Sequence, residues 1–290
     1  MYDEFAYVYD ELMDNVPYKR WADMLHSLIM KYGISRPCNS GGSRDKELCT
    51  EQEKLRSERD LVLDLACGTG TLTELMYQKG YDMIGVDISG DMLNAAMEKR
   101  DKSGSDILYL NQDMRQLDLF STVGTIYCLC DSINYLLSDE DIEKVFSLCE
   151  NFLYPGGLFI FDFNTVHKYE DVIGDSTIAE NREDVSFIWE NYYYPEEHIN
   201  EYDLTIFMES RKMKGCYRKV TETHLQKGYT LDEIGRFLEA AGLEMITAFE
   251  FSEDEERPED AFTESEMLPC GAGEQERIFV AARKKPGTIW

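Results

Sequence analysis

The stretch LVLDLACGTG, residues 61–70, decides how the rest of the chain reads. LVLDLA is an almost unbroken apolar run, the pattern of a strand buried on both faces rather than one with a wet side. Gly68 and Gly70 follow at its end, and a helical pattern, TLTELMYQKG, opens directly at Thr71 and stops at Gly80. Strand, glycine turn and helix N-terminus in that order present backbone N–H groups to an anion and let a ligand approach the main chain closely. A dinucleotide fingerprint would place a third glycine at position 73, where this chain has Thr73, so the turn argues against NAD.

Outward from this turn the same alternation repeats. YDMIGVD is a second strand and DMLNAAMEKR a second helix; DILYLN, GTIYCLC and LFIFDF are further buried strands, with DIEKVFSLCENFL a helix between the last two. Strands alternating with helices predict an α/β fold with a mostly parallel sheet covered on both faces. The pattern then changes: FIWENYYY, NEYDLTIFM and CYRKVTETH alternate with period two and predict a small antiparallel β insertion. LDEIGRFLEAAG restores a helix, and LEMITAFEF and RIFVAARK are two final strands. The N-terminus reads as one or two helices broken near Pro17, with Trp21, Met24, Leu25, Leu28 and Ile29 at helical spacing. The expected organisation is a helical cap and linker over 1–60, a core over 61–180 and 226–290, and a β lid over 181–225.

Charge limits the partners. With 29 basic and 57 acidic residues the chain carries −28, so its surface repels polyanions and no nucleic-acid partner is expected. The eight cysteines include no CxxC pair, which predicts reduced thiols and no metal; Cys128 and Cys130 are expected on one face of a strand. MYDEFAYVYDELM has no signal-peptide design, and no apolar stretch approaches membrane-spanning length. A cytoplasmic protein without a membrane partner is expected.

Four segments now line up with a known family. DLACGTG at 64–70 resembles motif I of class I S-adenosylmethionine (SAM) dependent methyltransferases, and GVDIS, with Asp87, resembles their second motif. NQDMRQL resembles the adenine site, and CLCDSINYL the segment lining the transferable methyl group. The resemblance covers nearly the whole chain and is nearest to YqeM-like bacterial methyltransferases; the stretches 36–58 and 251–275 depart from it. It implies a Rossmann-like, seven-stranded, mostly parallel sheet with an antiparallel last strand, and SAM as cofactor. Asp87 would hold both ribose hydroxyls, as an acid at a strand tip is able to do. Asp113 would accept from the adenine amine while Met114 packs on the ring. The cofactor shell carried over is Tyr9, Tyr18, Trp21, Asp64, Ala66, Gly68, Thr69, Gly70, Asp87, Ile88, Met92, Gln112, Asp113, Met114, Cys130, Asp131 and Ser132. The aromatic faces among them suit a sulfonium cation. Asp131, Ser132, Asn134 and Tyr135 serve equally well as caps of the next helix.

The acceptor end is less determined. His224 beside Glu222 is the candidate base, with Tyr135 as its catalytic companion. The lid aromatics Trp189, Tyr192, Tyr193, Tyr194, Tyr202, Phe207 and Tyr217 fit strand packing, a homodimer contact or a substrate box. The function expected is transfer of the SAM methyl group to a small-molecule N- or O-nucleophile. The alternatives are a non-catalytic SAM-binding regulatory protein and an NAD-dependent oxidoreductase. A filter-binding assay with transfer RNA at physiological salt should show no retention; tight, salt-sensitive retention would overturn the charge argument.

Overall fold

The computed structural model describes residues 5–37, 58–183, 185–209, 213–251, 264–270 and 273–287. Most of the expected linker, at 38–57, and of the acidic loop, at 252–263 and 271–272, lies outside the described residues. The N-terminal segment forms α1 (Phe5–Leu12) and α2 (Tyr18–Tyr32), with Pro17 immediately before the second helix. Then come β1 (Leu61–Leu65), α3 (Thr71–Gln78), β2 (Asp82–Asp87), α4 (Gly90–Ser103), β3 (Leu108–Asn111), β4 (Val123–Cys128), α5 (Asp139–Phe152) and β5 (Leu153–Asn164). After the insertion, α6 (Leu231–Ala240), β10 (Leu243–Phe251), β11 (Met267–Pro269) and β12 (Arg277–Lys284) complete the core.

The main sheet runs β11-β10-β12-β5-β4-β1-β2-β3. β3, β2, β1, β4 and β5 pair in parallel, whereas β12 runs antiparallel to both β5 and β10. The expected seven strands are all present, and an eighth joins the edge: β11 pairs antiparallel with β10 through three residues. Nothing in Met267–Pro269 alternates like a strand, and a proline is tolerated there because an edge strand needs hydrogen bonds on one side only. Leu63, Leu65, Ile126, Phe159 and Phe161 pack under α5 and α6, while Val62, Tyr127, Leu158, Ile160 and Phe279 pack under α2 and α3. Successive strand residues thus bury themselves on opposite faces, the reason these strands read as continuous apolar runs.

The insertion is a four-stranded antiparallel sheet, β6 (Thr177–Asn181), β7 (Val185–Tyr194), β8 (Ile199–Glu209) and β9 (Tyr217–Lys227), in sequential order. It starts before residue 181 because β6, TIAEN, is exposed throughout and has no alternation to reveal it. Between β7 and β9, Trp189, Tyr202 and His224 share the inner face, while Ile188, Tyr192 and Tyr194 are exposed on the outer one. Among the described residues no helix is long and apolar enough to cross a membrane.

One close approach carries much of the N-terminal packing. At Gly124 in β4 an added Cβ would stand 1.7 Å from the Arg59 carbonyl oxygen and 2.4 Å from Ser35 Oγ. Ser35 is fully buried and donates to the Arg59 carbonyl at 3.1 Å. Gly124→Ala should therefore destabilise the protein by about 3 kcal/mol, read as a lower urea midpoint at unchanged slope. A midpoint equal to that of the parent would show that the segment yields without cost.

Candidate functional site

The site forms where β1, β2 and β4 end. The turn after β1 is left-handed at Ala66 (φ 64°), Gly68 (φ 53°) and Gly70 (φ 72°), which lets the chain reverse into α3 within a few residues. Asp64 is buried, and its Oδ2 accepts from Thr73 Oγ1 at 2.5 Å and from Tyr127 Oη at 3.0 Å. Burial pushes its carboxyl up to about 7, against the pull of these two hydroxyl donors. Thr73, which stands where a dinucleotide-binding glycine would, is thus a structural partner of the motif's first acid.

Asp87 closes the turn from the tip of β2. Its Oδ2 accepts from the Gly68 N–H at 2.8 Å and its Oδ1 from the Ser89 N–H at 2.8 Å. Burial raises its carboxyl while the two N–H groups hold it down. Each oxygen retains a second lone pair, the pattern required to receive a vicinal diol. A Cβ added at Gly68 would meet no atom within 4 Å, so the floor beside Asp87 is open. Ile88 is 66% exposed next to it, an apolar ledge at the rim. Asn111 Nδ2 donates to the carbonyls of Asp87 at 2.9 Å and Ile88 at 2.8 Å, fixing this backbone. Ser89 caps α4 by accepting from the Met92 N–H at 3.3 Å. The site's residues thus fit a ribose and an adjoining flat ring.

The segment after β3 is engaged internally. Gln112 forms two 2.9 Å bonds with the backbone of Asp118, through Nε2 and Oε1. Arg115 grips Asp113 through Nε at 3.0 Å and Nη2 at 2.6 Å, and this holds the Asp113 carboxyl below its ordinary range. Met114 packs against the core cluster that includes Leu117 and Ile126.

β4 ends at Cys128, and Cys130 (φ 61°) and Asp131 (φ 49°) are both left-handed, so the two cysteines do not share a strand face. The Cys130 thiol faces Tyr18 Oη at 3.9 Å, and Ser132 Oγ donates to the Leu129 carbonyl at 2.8 Å. Asp131 does not cap the following 3₁₀ turn, Ser132–Tyr135, with its side chain. Its carboxylate instead accepts from Arg277 Nη2 at 2.7 Å and from Gln226 Nε2 of the lid at 2.7 Å. Arg277 also pairs with Asp162 at 3.2 Å, and Asp162 accepts from the Asp131 N–H at 3.1 Å. Burial raises the Asp162 carboxyl to about 6, and its Oδ1 has no hydrogen-bond partner among the described residues. The Arg277 guanidinium lies 5.6 Å from the ring centre of Trp21, which is buried between Tyr18 and Phe279.

Under the lid, Tyr135 and His224 meet. Tyr135 Oη lies 3.2 Å from His224 Nδ1 and 3.0 Å from Tyr202 Oη, and His224 Nε2 lies 3.3 Å from Glu222 Oε2. Tyr202 stacks on the His224 ring at 4.9 Å, with Trp189 edge-on to Tyr202 at 5.3 Å. Arg277, Asp162, Gln226 and Asn111 had no signal in the sequence, whereas Tyr202 stood among the seven lid aromatics. Arg277 reaches Asp131 because β12 pairs with β5, placing Arg277 opposite Asn164.

A methyltransferase-domain family matches residues 62–157. A protein of Geobacillus sp. (strain WCH70), named as a methyltransferase, is 30% identical over 98% of this chain and 99% of its own length. The crystal structure of an S-adenosylmethionine-dependent methyltransferase from Clostridium acetobutylicum ATCC 824 superposes with a TM-score of 0.74, at 26% identity, over 99% of both chains. The glycine/sarcosine N-methyltransferase of Halorhodospira halochloris is 28% identical over 52% of this chain and 53% of its own. Asp87→Ala should weaken SAM binding by about 1–3 kcal/mol, because the ribose hydroxyls would lose their acceptors. Calorimetry on the folded variant checks this, and an unchanged affinity would sink the placement of the ribose.

Proposed function

Because the chain belongs to the SAM-dependent methyltransferase family, we propose that it methylates an amine of a small-molecule acceptor held between β4 and the lid. SAM supplies an electrophilic methyl group on a positively charged sulfur, so the protein's task is alignment, exclusion of water and removal of one proton. The observation that carries the reading is the chain Tyr135–His224–Glu222, which joins the core turn after β4 to the lid strand β9. The amine acceptor is favoured by the similarity to a glycine/sarcosine N-methyltransferase.

Chemically the chain works as a relay. Glu222 accepts from His224 Nε2–H and so leaves Nδ1 free to accept from the Tyr135 hydroxyl. The Tyr135 oxygen then has lone pairs for an N–H of the acceptor. As the new N–CH₃ bond forms and the C–S bond breaks, the amine proton passes to Tyr135 while the Tyr135 proton passes to His224. The stack of Trp189, Tyr202 and His224 walls this end, and an acceptor seated against Tyr135, which is 43% exposed, would displace the water there. Asp87, Gly68 and Ile88 would hold the ribose and the flat ring of SAM. Tyr9 and Tyr18, from the N-terminal helices, would cover its sulfonium end.

The test is formation of S-adenosylhomocysteine (SAH) with a panel of small amines, glycine and amino sugars among them, against matched hydroxy compounds. Amines should turn over, and Tyr135→Phe and His224→Gln should each lower kcat about 100-fold while leaving SAM affinity unchanged. Turnover confined to the hydroxy compounds, or wild-type kcat in both variants, would overturn the proposal.

A further inference from the structure

α1 touches both halves of the protein. On the core side Asp10 Oδ1 accepts from Thr69 Oγ1 at 2.6 Å and from Thr71 Oγ1 at 3.3 Å, and Asp10 Oδ2 pairs with Lys99 Nζ at 2.7 Å. Lys99 donates in turn to the same two threonines, at 3.1 and 2.7 Å. Thr69 lies in the glycine turn itself and Thr71 opens α3, so Asp10 is fastened to the cofactor-binding backbone. On the lid side Arg182, between β6 and β7, pairs with Asp14 at 3.0 Å and donates to the Glu11 carbonyl. Leu12 packs into the lid's own apolar cluster of Val185, Ile206 and Met208.

Tyr9 sits between these attachments. Its phenol is raised by burial first and then by Cys130, Asp131, Tyr135 and Asp87. α1 has only eight residues, too few to be stable as an isolated helix in water. Its order therefore depends on what it is attached to. A ligand seated on the glycine turn, to which Asp10 is bonded through Thr69, would add a third set of contacts to the same short helix.

We infer that α1 is a coupling arm that makes cofactor binding and lid docking one event, with Asp10 and Arg182 as its positioning residues. Asp10 holds the arm to the motif that cradles the cofactor, and Arg182 with Leu12 transmits its position to the lid. Linkage then requires the converse: loosening the lid's grip on α1 weakens cofactor binding, although Arg182 belongs to the lid and, among the described residues, is bonded to Glu11, Asp14 and Glu180 rather than to the glycine turn. The acceptor chamber is thereby completed over a filled cofactor cleft, which orders the two substrates. The inference rests on the proposed placement of the cofactor beside Asp87 and Asp131.

The experiment uses the full chain and SAH. Hydrogen exchange in peptides from β7 and β8 should slow when SAH is added to the wild-type protein. Arg182→Ala should abolish that protection and weaken SAH binding about 5- to 10-fold by calorimetry, while the thermal midpoint without SAH stays close to wild type. Arg182→Lys, which keeps a cation for Asp14, should recover most of both effects. Asp10→Asn, nearly isosteric, approaches from the core side and should uncouple lid protection in the same way. Wild-type SAH affinity in Arg182→Ala, or lid exchange that ignores SAH in the unmutated protein, overturns the inference. Loss of affinity in Asp87→Ala with no effect from Arg182→Ala would spare the cofactor placement and remove the coupling alone.

Discussion

The joint between the end of β4 and the lid depends on one half-buried cation, Arg277. Arg277 neutralises Asp131 and Asp162 together, and the two carboxylates approach each other closely enough for the Asp131 N–H to reach Asp162 Oδ2 at 3.1 Å. Without the guanidinium, the buried Asp162 would face the half-buried Asp131 with no cation between them, an arrangement that favours taking up a proton. With it, Asp131 keeps one oxygen for Gln226 and so anchors β9 of the lid to the end of β4. Asn134 reinforces the same joint, donating to the carbonyls of Asn164 at 2.8 Å and Lys227 at 2.7 Å. Because Gln226 and His224 are two residues apart on β9, this joint sets how closely His224 approaches Tyr135.

Backbone strain accompanies the same region. Ala66, Cys130 and Asp131 adopt left-handed conformations that cost an L-residue with a Cβ about 1–2 kcal/mol each. All three lie at strand ends facing the cleft, where a chain leaving a parallel sheet must turn abruptly to clear the ligand. The surrounding bonds hold them there: Cys67 N–H to the Val86 carbonyl at 2.9 Å behind Ala66, and the Asp162 and Arg277 contacts around Asp131. Such strain survives only where neighbouring structure overdetermines the turn.

The net charge of −28 takes on a local meaning as well. Cations are few, and several that border the cleft are committed to one acid each or more: Arg115 to Asp113, Lys99 to Asp10, Arg182 to Asp14 and Glu180, Arg277 to Asp131 and Asp162. Each pairing orders a segment next to the cleft, so these scarce basic residues tie the cleft's walls together rather than forming a surface for polyanions.

What the chain order alone determined is the half that holds the glycine turn and Asp87. Glycines 68 and 70, Asp87 and the strand–helix alternation are contiguous signals, because a phosphate- or ribose-binding turn is built from one strand end and the helix beside it. The α/β class, the antiparallel insertion and the boundaries of β10 and β12 were legible for the same reason: apolar periodicity records burial within each segment. Strands β6 and β11 were not, since one is exposed throughout and the other is three residues long, and both exist only through pairing. The half that joins the end of β4 to the lid was decided by tertiary structure. Arg277 and Asp131 are 146 residues apart, Gln226 and Asp131 are 95 apart, and His224 and Tyr135 are 89 apart. No local pattern encodes such partners. They meet because strand register across β5 and β12, and the docking of β9 on the turn after β4, bring their side chains within hydrogen-bond distance.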